Sequence, residues 1–333
     1  MASKNKSVSV IMPCYNDGAY IEESVSSVRN QTYSDIELII INDGSDDKKT
    51  VDILEGLSKD GITVLETEKL GPARARNVGI KHANGKYILP LDSDDIIDAT
   101  YIEKAVKIIE SDDNIGGVYC LAEFFDKRQG RWVLPAYSLE QMLLDNVIFI
   151  TTLFLKSDWE TAGGFDESLI HGMEDYDFWL SIIEMGKTFY TIPEVLFFYR
   201  IKSLSRTSNF MSNSENVNST YAKIFDNHKA LYARHYDLTI GIMRRYLIDF
   251  SLKNYEYSKY IKYFNAFKKF RAFILKVRSA LLLPFSFLKN FSKTACKTFK
   301  RKLASGFRKT KIFLYPVLGK PYRMIFKRKS GEK

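Results

Sequence analysis

Asp92, Asp94 and Asp95 crowd into four positions directly after the apolar run Tyr87–Leu91. Carboxylates this close repel one another, and a hard divalent cation such as Mg2+ or Mn2+ relieves the repulsion through oxygen ligands. One or two carboxylates plus the phosphates of a substrate make an ordinary site for such an ion. The competing reading is a helix cap, with Asp95 or Asp98 satisfying the first turn of the next helix. A second acidic cluster, Glu174-Asp175-Tyr176-Asp177, opens an expected helix behind Gly172. Free amides at a helix start favour carboxylates, so capping competes there with a general base that takes a proton from a hydroxyl. Upstream, Gly163-Gly164-Phe165-Asp166 lets the chain turn closely beside a bound substrate.

Cations and rings stand near these acids in the chain. Arg74 and Arg76 follow Gly71-Pro72 and, two apart on a helix, point in different directions, one towards phosphate and the other towards solvent. Arg200 ends an apolar run and is followed by Lys202, Ser203 and Ser205, a set able to clamp phosphate from another side. Pro13 and Tyr15 end the first apolar run, where a ring either fills the core or offers a flat face to a base. Asp43, in Asn42-Asp43-Gly44-Ser45, is either a simple turn acid or a ligand contact.

The elements that must position these residues follow from periodicity. Ser7–Met12, Glu37–Ile41, Ile62–Leu65 and Tyr87–Leu91 read as buried strands. Ala19–Arg29, Thr50–Ser58, Ala73–His82 and Ala99–Ser111 read as helices. The alternation predicts an α/β fold with a mostly parallel central sheet flanked by helices. Ligands in such sheets bind beyond the strand C-termini, where the acidic loops fall. From Gly116 the rhythm changes to strands at Gly117–Phe125 and Ile150–Lys156, a short helix at Leu139–Leu144, a helix at Glu174–Met185 and a strand at Thr188–Tyr199 interrupted at Pro193. Residues 203–219, rich in Ser and Asn, read as a mobile loop or linker able to order over a bound donor; the chain beyond 220 reads as helices.

Composition bounds the rest. The 333 residues can bury a sizeable core. Three separated cysteines (Cys14, Cys120, Cys296) and four histidines without ligand spacing exclude a disulfide or metal scaffold for the whole fold. The net charge of +9 divides sharply: residues 251–333 carry 23 Lys and Arg against two acids, net +21, and the remainder carries −12. No export signal is visible and no run reaches 18 apolar residues, which points to the cytoplasm.

In combination the motifs resemble glycosyltransferase family 2, the inverting enzymes of the A-type nucleotide-diphospho-sugar fold that include bacterial makers of cell-surface polysaccharide. The matching pieces, in the family's order, are VSVIMPCYNDGAYIEESVSSVRNQTY, ELIIINDGSDD, GPARARNVGIKHANGKYILPLDSDD, GGFDES, GMEDYDFWLSIIEMG and PEVLFFYR, over residues 7–206. The resemblance implies that Pro13, Tyr15 and Asp43 line the nucleotide pocket and that Arg76 and Asn77 lie near nucleotide and phosphates. It implies Asp92 and Asp94 as the Asp-x-Asp pair for Mn2+ or Mg2+, Asp94 being the direct ligand, and Asp175 as catalytic base beside Glu174. Many relatives carry a histidine where this chain has Lys202; a lysine there either offsets diphosphate charge as a mobile point charge or faces solvent. The expected reaction is direct displacement of a nucleoside diphosphate, with a UDP-linked hexose or N-acetylhexosamine as donor and a saccharide, lipid-linked or anionic polymer hydroxyl as acceptor.

Two domains are expected: residues 1–219 for nucleotide-sugar binding and catalysis, and 220–333 as a basic amphipathic helical region. Mixed basic and apolar helices suit an anionic membrane surface, which would place the enzyme peripherally on the inner face of the cell membrane. Packing on the body, a second subunit or an anionic acceptor polymer compete for that region, and a homo-oligomer is left open. The rival functions are a catalytically inactive assembly subunit and a nucleic-acid-binding protein. The second is disfavoured by the acidic body and the lack of a recognition motif, so nucleic acid is not an expected partner.

Overall fold

The computed structural model describes residues 7–202 and 210–252. By compactness the chain forms two units, Met1–His235 and Tyr236–Lys333. In the second, residues 236–252 are helical and expose Ile240, Met243, Leu247, Ile248, Phe250 and Leu252. The rest of the basic tail, with Cys296, lies outside the described residues, as do Ser203 and Ser205.

The first unit begins with alternating strands and helices: β1 (Val8–Cys14), α1 (Ile21–Arg29), β2 (Ile36–Asp43), α2 (Lys48–Lys59), β3 (Thr63–Thr67), α3 (Pro72–His82) and β4 (Tyr87–Pro90). These four strands are parallel, in the order β3-β2-β1-β4. β1 and β4 are nearly or wholly buried, as strands covered on both faces must be. Gly79 lets α3 press on this sheet, since a Cβ there would stand 2.6 Å from Ile41 Cδ1 and 2.8 Å from Ile11 Cγ2. Pro72 begins α3 at the position where its missing N–H costs nothing.

Beyond β4 come β5 (Ile96–Ile97), α4 (Tyr101–Ile109), β6 (Ile115–Asp126), β7 (Gly130–Trp132), α5 (Leu139–Met142), β8 (Leu153–Leu155), α6 (Lys156–Ala162), α7 (Glu174–Glu184) and β9 (Thr188–Ile201). The full order is β3-β2-β1-β4-β8-β6-β9-β5, with β7 on β6. The sheet is therefore parallel in its first half and mixed in its second: β8 runs antiparallel to β4 and β6, β5 antiparallel to β9, and β9 parallel to β6. Pro193 does not end β9. Cys120 pairs with Ile192 and Leu121 with Val195, so Pro193 and Glu194 bulge out and the strand resumes. The carbonyl of Leu196 in this irregular stretch accepts from Asp98 N at 2.9 Å.

Two helices close the unit, α8 (Ser214–Asn227) and α9 (Lys229–Arg234). The expected loop over 203–219 is thus helical at 210–212 and again from Ser214. Asn213 accepts from the amides of Glu215 and Asn216, so the Asn- and Ser-rich text is partly a helix cap. Residues 203–209 of that loop lie outside the described residues. The expected domain boundary at 219/220 falls inside α8, which with α9 is fastened to the body. Tyr221 donates to Asp145 at 2.5 Å, Tyr176 and Tyr232 hydroxyls meet at 3.3 Å, and His228 lies 3.2 Å from Asp177 and 3.1 Å from Glu184.

An aromatic cluster fixes α7 against β8. The ring centroids of Phe154 and Phe178, Phe165 and Phe178, and Phe178 and Trp179 lie 5.0, 4.9 and 5.0 Å apart. Such pairs add about 0.5–1.5 kcal/mol each beyond area burial, which makes the N-terminus of α7 a rigid platform.

Candidate active site

Register brings the C-terminal ends of the parallel strands together. Cys14 stands beside Asn42, and Ile11 beside Pro90, so Tyr15, Asp43 and the Leu91–Asp95 turn share one edge. Leu91 continues the ladder by donating to Ile11 O at 3.0 Å, and Asp95 N closes the turn on Asp92 O at 3.1 Å. The turn is clamped from two elements. Ser24 of α1 donates to the carbonyls of Ser93 and Asp95, at 2.9 and 2.6 Å. From β9, Arg200 gives its backbone N–H to the buried Asp95 carboxylate at 2.8 Å and its Nε to Asp94 O at 2.7 Å.

This geometry divides the acids by task. Neither Asp95 nor Asp98 caps α4: Asp98 accepts from Thr100 N and Oγ1 just ahead of the helix, and the first-turn amide of Ile102 donates to Gln31 Oε1. Asp95 anchors β9. Burial pushes its carboxyl well up, with Asp94 and Asp92 adding to the effect. Asp92 and Asp94 stay partly exposed and meet cations: Asp92 Oδ1 accepts from Arg76 at 2.5 Å, and Asp94 Oδ2 lies 2.7 Å from Lys202 Nζ. Burial raises the Asp94 carboxyl, Lys202 opposes the rise, and Asp92 and Asp17 reinforce it.

Arg76 joins the two acidic clusters. Its other terminal nitrogen donates to Glu174 at 2.7 Å, both side chains being about fully enclosed (4% and 5% exposed). Burial opposes the guanidinium charge, but Asp92 and Glu174 outweigh it and hold Arg76 protonated. Arg74, two residues earlier, faces the surface near Glu167. Next to Glu174, Asp175 is pushed up to about 7, by burial first and by Glu174 second, while the Tyr176 amide, Arg76 and the Asn146 side chain pull the other way. Met173, immediately before α7, takes the left-handed φ of 70° behind Gly172 at 132°, so the chain enters this helix through a sharp, strained corner.

Asp43 is buried and tightly held: Oδ1 accepts from Leu70 N at 2.8 Å and Thr67 Oγ1 at 3.1 Å, and Oδ2 from Gly71 N at 2.8 Å. It fixes the loop that carries Lys69, whose ammonium lies 2.6 Å from the Tyr15 hydroxyl and 4.1 Å from the ring centre. Pro13 lies in β1 just before this ring, half-buried.

Two expected residues face other work. Asn77 is buried and both ends of its amide are taken: Nδ2 donates to Phe165 O and Glu167, and Oδ1 accepts from Phe165 N and Trp159 Nε1. It is a fastener of the Gly163–Phe165 turn, not a lining group for phosphate. Arg200, expected as a phosphate clamp, is buried between Glu23 and Asp126 and under the rings of Tyr20 and Phe125. It holds the acidic turn in place. Conversely, Asp17, Lys69 and Asn146 belong to the site and were not singled out from the sequence. Their signals were an acid inside the Asn16-Asp17-Gly18 loop, a lysine just before Gly71-Pro72, and a polar pair, Asp145-Asn146, inside an apolar segment. Cys14 and Cys120 are buried thiols pushed up to about 11 and about 12 by desolvation, which removes thiolate chemistry.

Comparison with known proteins agrees with this architecture. Residues 9–163 match the family described as Glycosyl transferase family 2. An uncharacterised glycosyltransferase of Rickettsia prowazekii is 34% identical over 221 residues, covering 62% of this chain and 68% of that protein. The Escherichia coli protein WfgD, named a UDP-Glc:alpha-D-GlcNAc-diphosphoundecaprenol beta-1,3-glucosyltransferase, is 36% identical over 180 residues, or 53% of this chain and 70% of its own. Among solved structures, the mannosyltransferase PcManGT from Pyrobaculum calidifontis, in complex with GDP-Man and Mn2+, superposes with a TM-score of 0.53 at 20% identity, covering 73% of this chain and 75% of that one, a likeness of fold. With a relative above 30% identity aligned over two thirds of its length and a mixed sheet of the same kind, the chain belongs to glycosyltransferase family 2.

Proposed function

We propose that this glycosyltransferase moves a sugar from a nucleoside-diphosphate sugar, a UDP-linked hexose or N-acetylhexosamine, to a hydroxyl of a saccharide, lipid-linked or polymer acceptor, with inversion and with Mn2+ or Mg2+. The observation that carries the reading is Arg76, which ties the Asp92 carboxylate to Glu174 beside Asp175 and so couples an expected phosphate end to an expected base. The relative named as using UDP-Glc supports the donor class.

The donor set fits a divalent ion. Asp92 and Asp94 are hard oxygen ligands at a rigid turn, where burial first, and Asp92 and Asp17 after it, raise the Asp94 carboxyl against the pull of Lys202. When bound, such an ion supplies Lewis-acid stabilisation of charge on the departing diphosphate. Asp92 and Asp94 would hold it. Tyr15 offers a flat face to the base, and Lys69, over that ring, supplies a positive charge close by. Asp175, perched near neutrality, takes the acceptor's proton as the hydroxyl oxygen bonds to the anomeric carbon. The bond to the diphosphate oxygen breaks on the opposite face, so an α-linked donor yields a β product.

The test is a panel of nucleotide sugars with Mn2+, the product anomer read by NMR, beside Asp94→Ala and Asp175→Asn. Transfer with retention, or full activity in both variants, overturns the reading. For the region after 220 we propose peripheral attachment to anionic membrane, on its charge and apolar content. No helix among the described residues is long and apolar enough to cross a membrane. Equal flotation with anionic liposomes of the full chain and of a truncation near 250 would refute attachment.

A further inference from the structure

Lys202 reaches from the end of β9 to two acids at once: its ammonium lies 2.6 Å from Asp17 Oδ1 and 2.7 Å from Asp94 Oδ2, with the Tyr20 ring centre 5.2 Å away. The acids and the ammonium are not equally free to move. Asp94 sits in a turn fixed by Ser24 and by Arg200, and Asp17 is held by Ser93 Oγ at 2.9 Å. Lys202 is a point charge on a flexible stem, 25% exposed. The carboxylates are therefore the fixed half of this contact and the ammonium the movable half.

We propose that Lys202 is a resident counter-ion that occupies Asp94 in the donor-free enzyme and passes to the diphosphate when nucleotide arrives, so that divalent ion and nucleotide bind as a coupled pair. A dication placed on Asp94 alone would stand within a few ångströms of the ammonium and be repelled by it. A diphosphate brings the negative charge that gives Lys202 a new partner, and the repulsion ends. Coupling of this kind is reciprocal: nucleotide tightens the ion by the factor by which the ion tightens nucleotide.

The inference rests on the reading that Asp92 and Asp94 hold the ion, and the experiment separates the two. Free and bound Mn2+ are measured by electron paramagnetic resonance on the full chain, with and without UDP, in the native protein, Lys202→Met and Lys202→Gln. UDP should tighten Mn2+ in the native protein by at least about tenfold, within the usual range of coupling between sites. Both variants should bind Mn2+ alone about tenfold more tightly than the native protein and should gain a smaller factor from UDP than the native protein does, and Lys202→Arg should keep the native pattern. Equal Mn2+ affinity without UDP in native and neutral variants overturns the role of Lys202 and leaves the metal reading standing. No Mn2+ binding in any protein, with UDP present, overturns both.

Discussion

Replacing Arg76 by Met should cost stability in a pH-dependent way that can be worked out in advance. The guanidinium has one enclosed partner, Glu174, and one partner a third exposed, Asp92. Water can rehydrate Asp92, but Glu174 loses a cation that it meets in an enclosed site, which favours its protonated form. Protonation caps the penalty at about 1.36 kcal/mol for each pH unit above an ordinary Glu value of about 4.3. The cap is about 1.6 kcal/mol at pH 5.5 and about 4.4 kcal/mol at pH 7.5, the latter within the roughly 3–5 kcal/mol of a broken buried pair. The sign follows from proton binding: in the variant, folded Glu174 has a raised pKa and holds a proton that the unfolded chain has lost, so stability falls as pH rises between the two values. Urea unfolding followed by tryptophan fluorescence, with Trp159 and Trp179 buried in the body, should therefore show a loss larger by about 2–3 kcal/mol at pH 7.5 than at pH 5.5. Arg76→Met/Glu174→Gln should erase that difference. An equal loss at both pH values would refute the electrostatic account and leave Arg76 as a packing residue.

Three other expectations follow from the same geometry. Transfer should rise with pH as Asp175 ionises through about 7, and Asp175→Asn should lower kcat by about 10²–10⁴ without that limb; a flat pH profile in the native enzyme counts against this base. His228 loses some proton affinity to burial but gains more from Asp177 and Glu184, so its pKa is raised; its contribution is full below the ordinary value of 6.5 and fades as pH climbs through the raised one, and His228→Gln should flatten stability against pH in that window. Gly164 has φ of 87° and a Cβ there would lie 3.1 Å from Asn77 Oδ1, so Gly164→Ala should cost about 1–3 kcal/mol in unfolding assays, and no loss would show the turn to be adaptable.

The parallel half of the sheet was legible because strands covered on both faces are mostly apolar, as β4 is throughout and β1 is apart from Ser9. The second half hides in short pieces. β5 has two residues and β7 three, too few for any period, and α6 begins at Lys156, which reads as the last residue of the strand before it. The crowding of acids around Asp92, Asp94 and Asp175 was legible, since it stands in the sequence itself. Partnerships were not: Arg76 meets Glu174 from 98 positions away, and only the packing of α7 on the sheet brings them together. The same limit misdirected the reading of Asn77 and Arg200. A polar residue beside a site looks alike in sequence whether it faces the ligand or braces the wall behind it.

The irregular stretch of β9 sets a phase. Side chains on a strand alternate between faces, so each residue skipped from the ladder exchanges front for back in everything downstream. Between Ile192, opposite Cys120, and Phe197, opposite Ala122, β9 spends five steps where its partner spends two. That offset decides that Arg200 lies over the acidic turn. Deleting one residue from 193–196 would present Ile201 to Asp95 in place of Arg200 and carry Lys202 to the opposite side, dismantling the cationic wall from a place that touches none of it. Changes of length at this bulge should therefore be tolerated only in pairs.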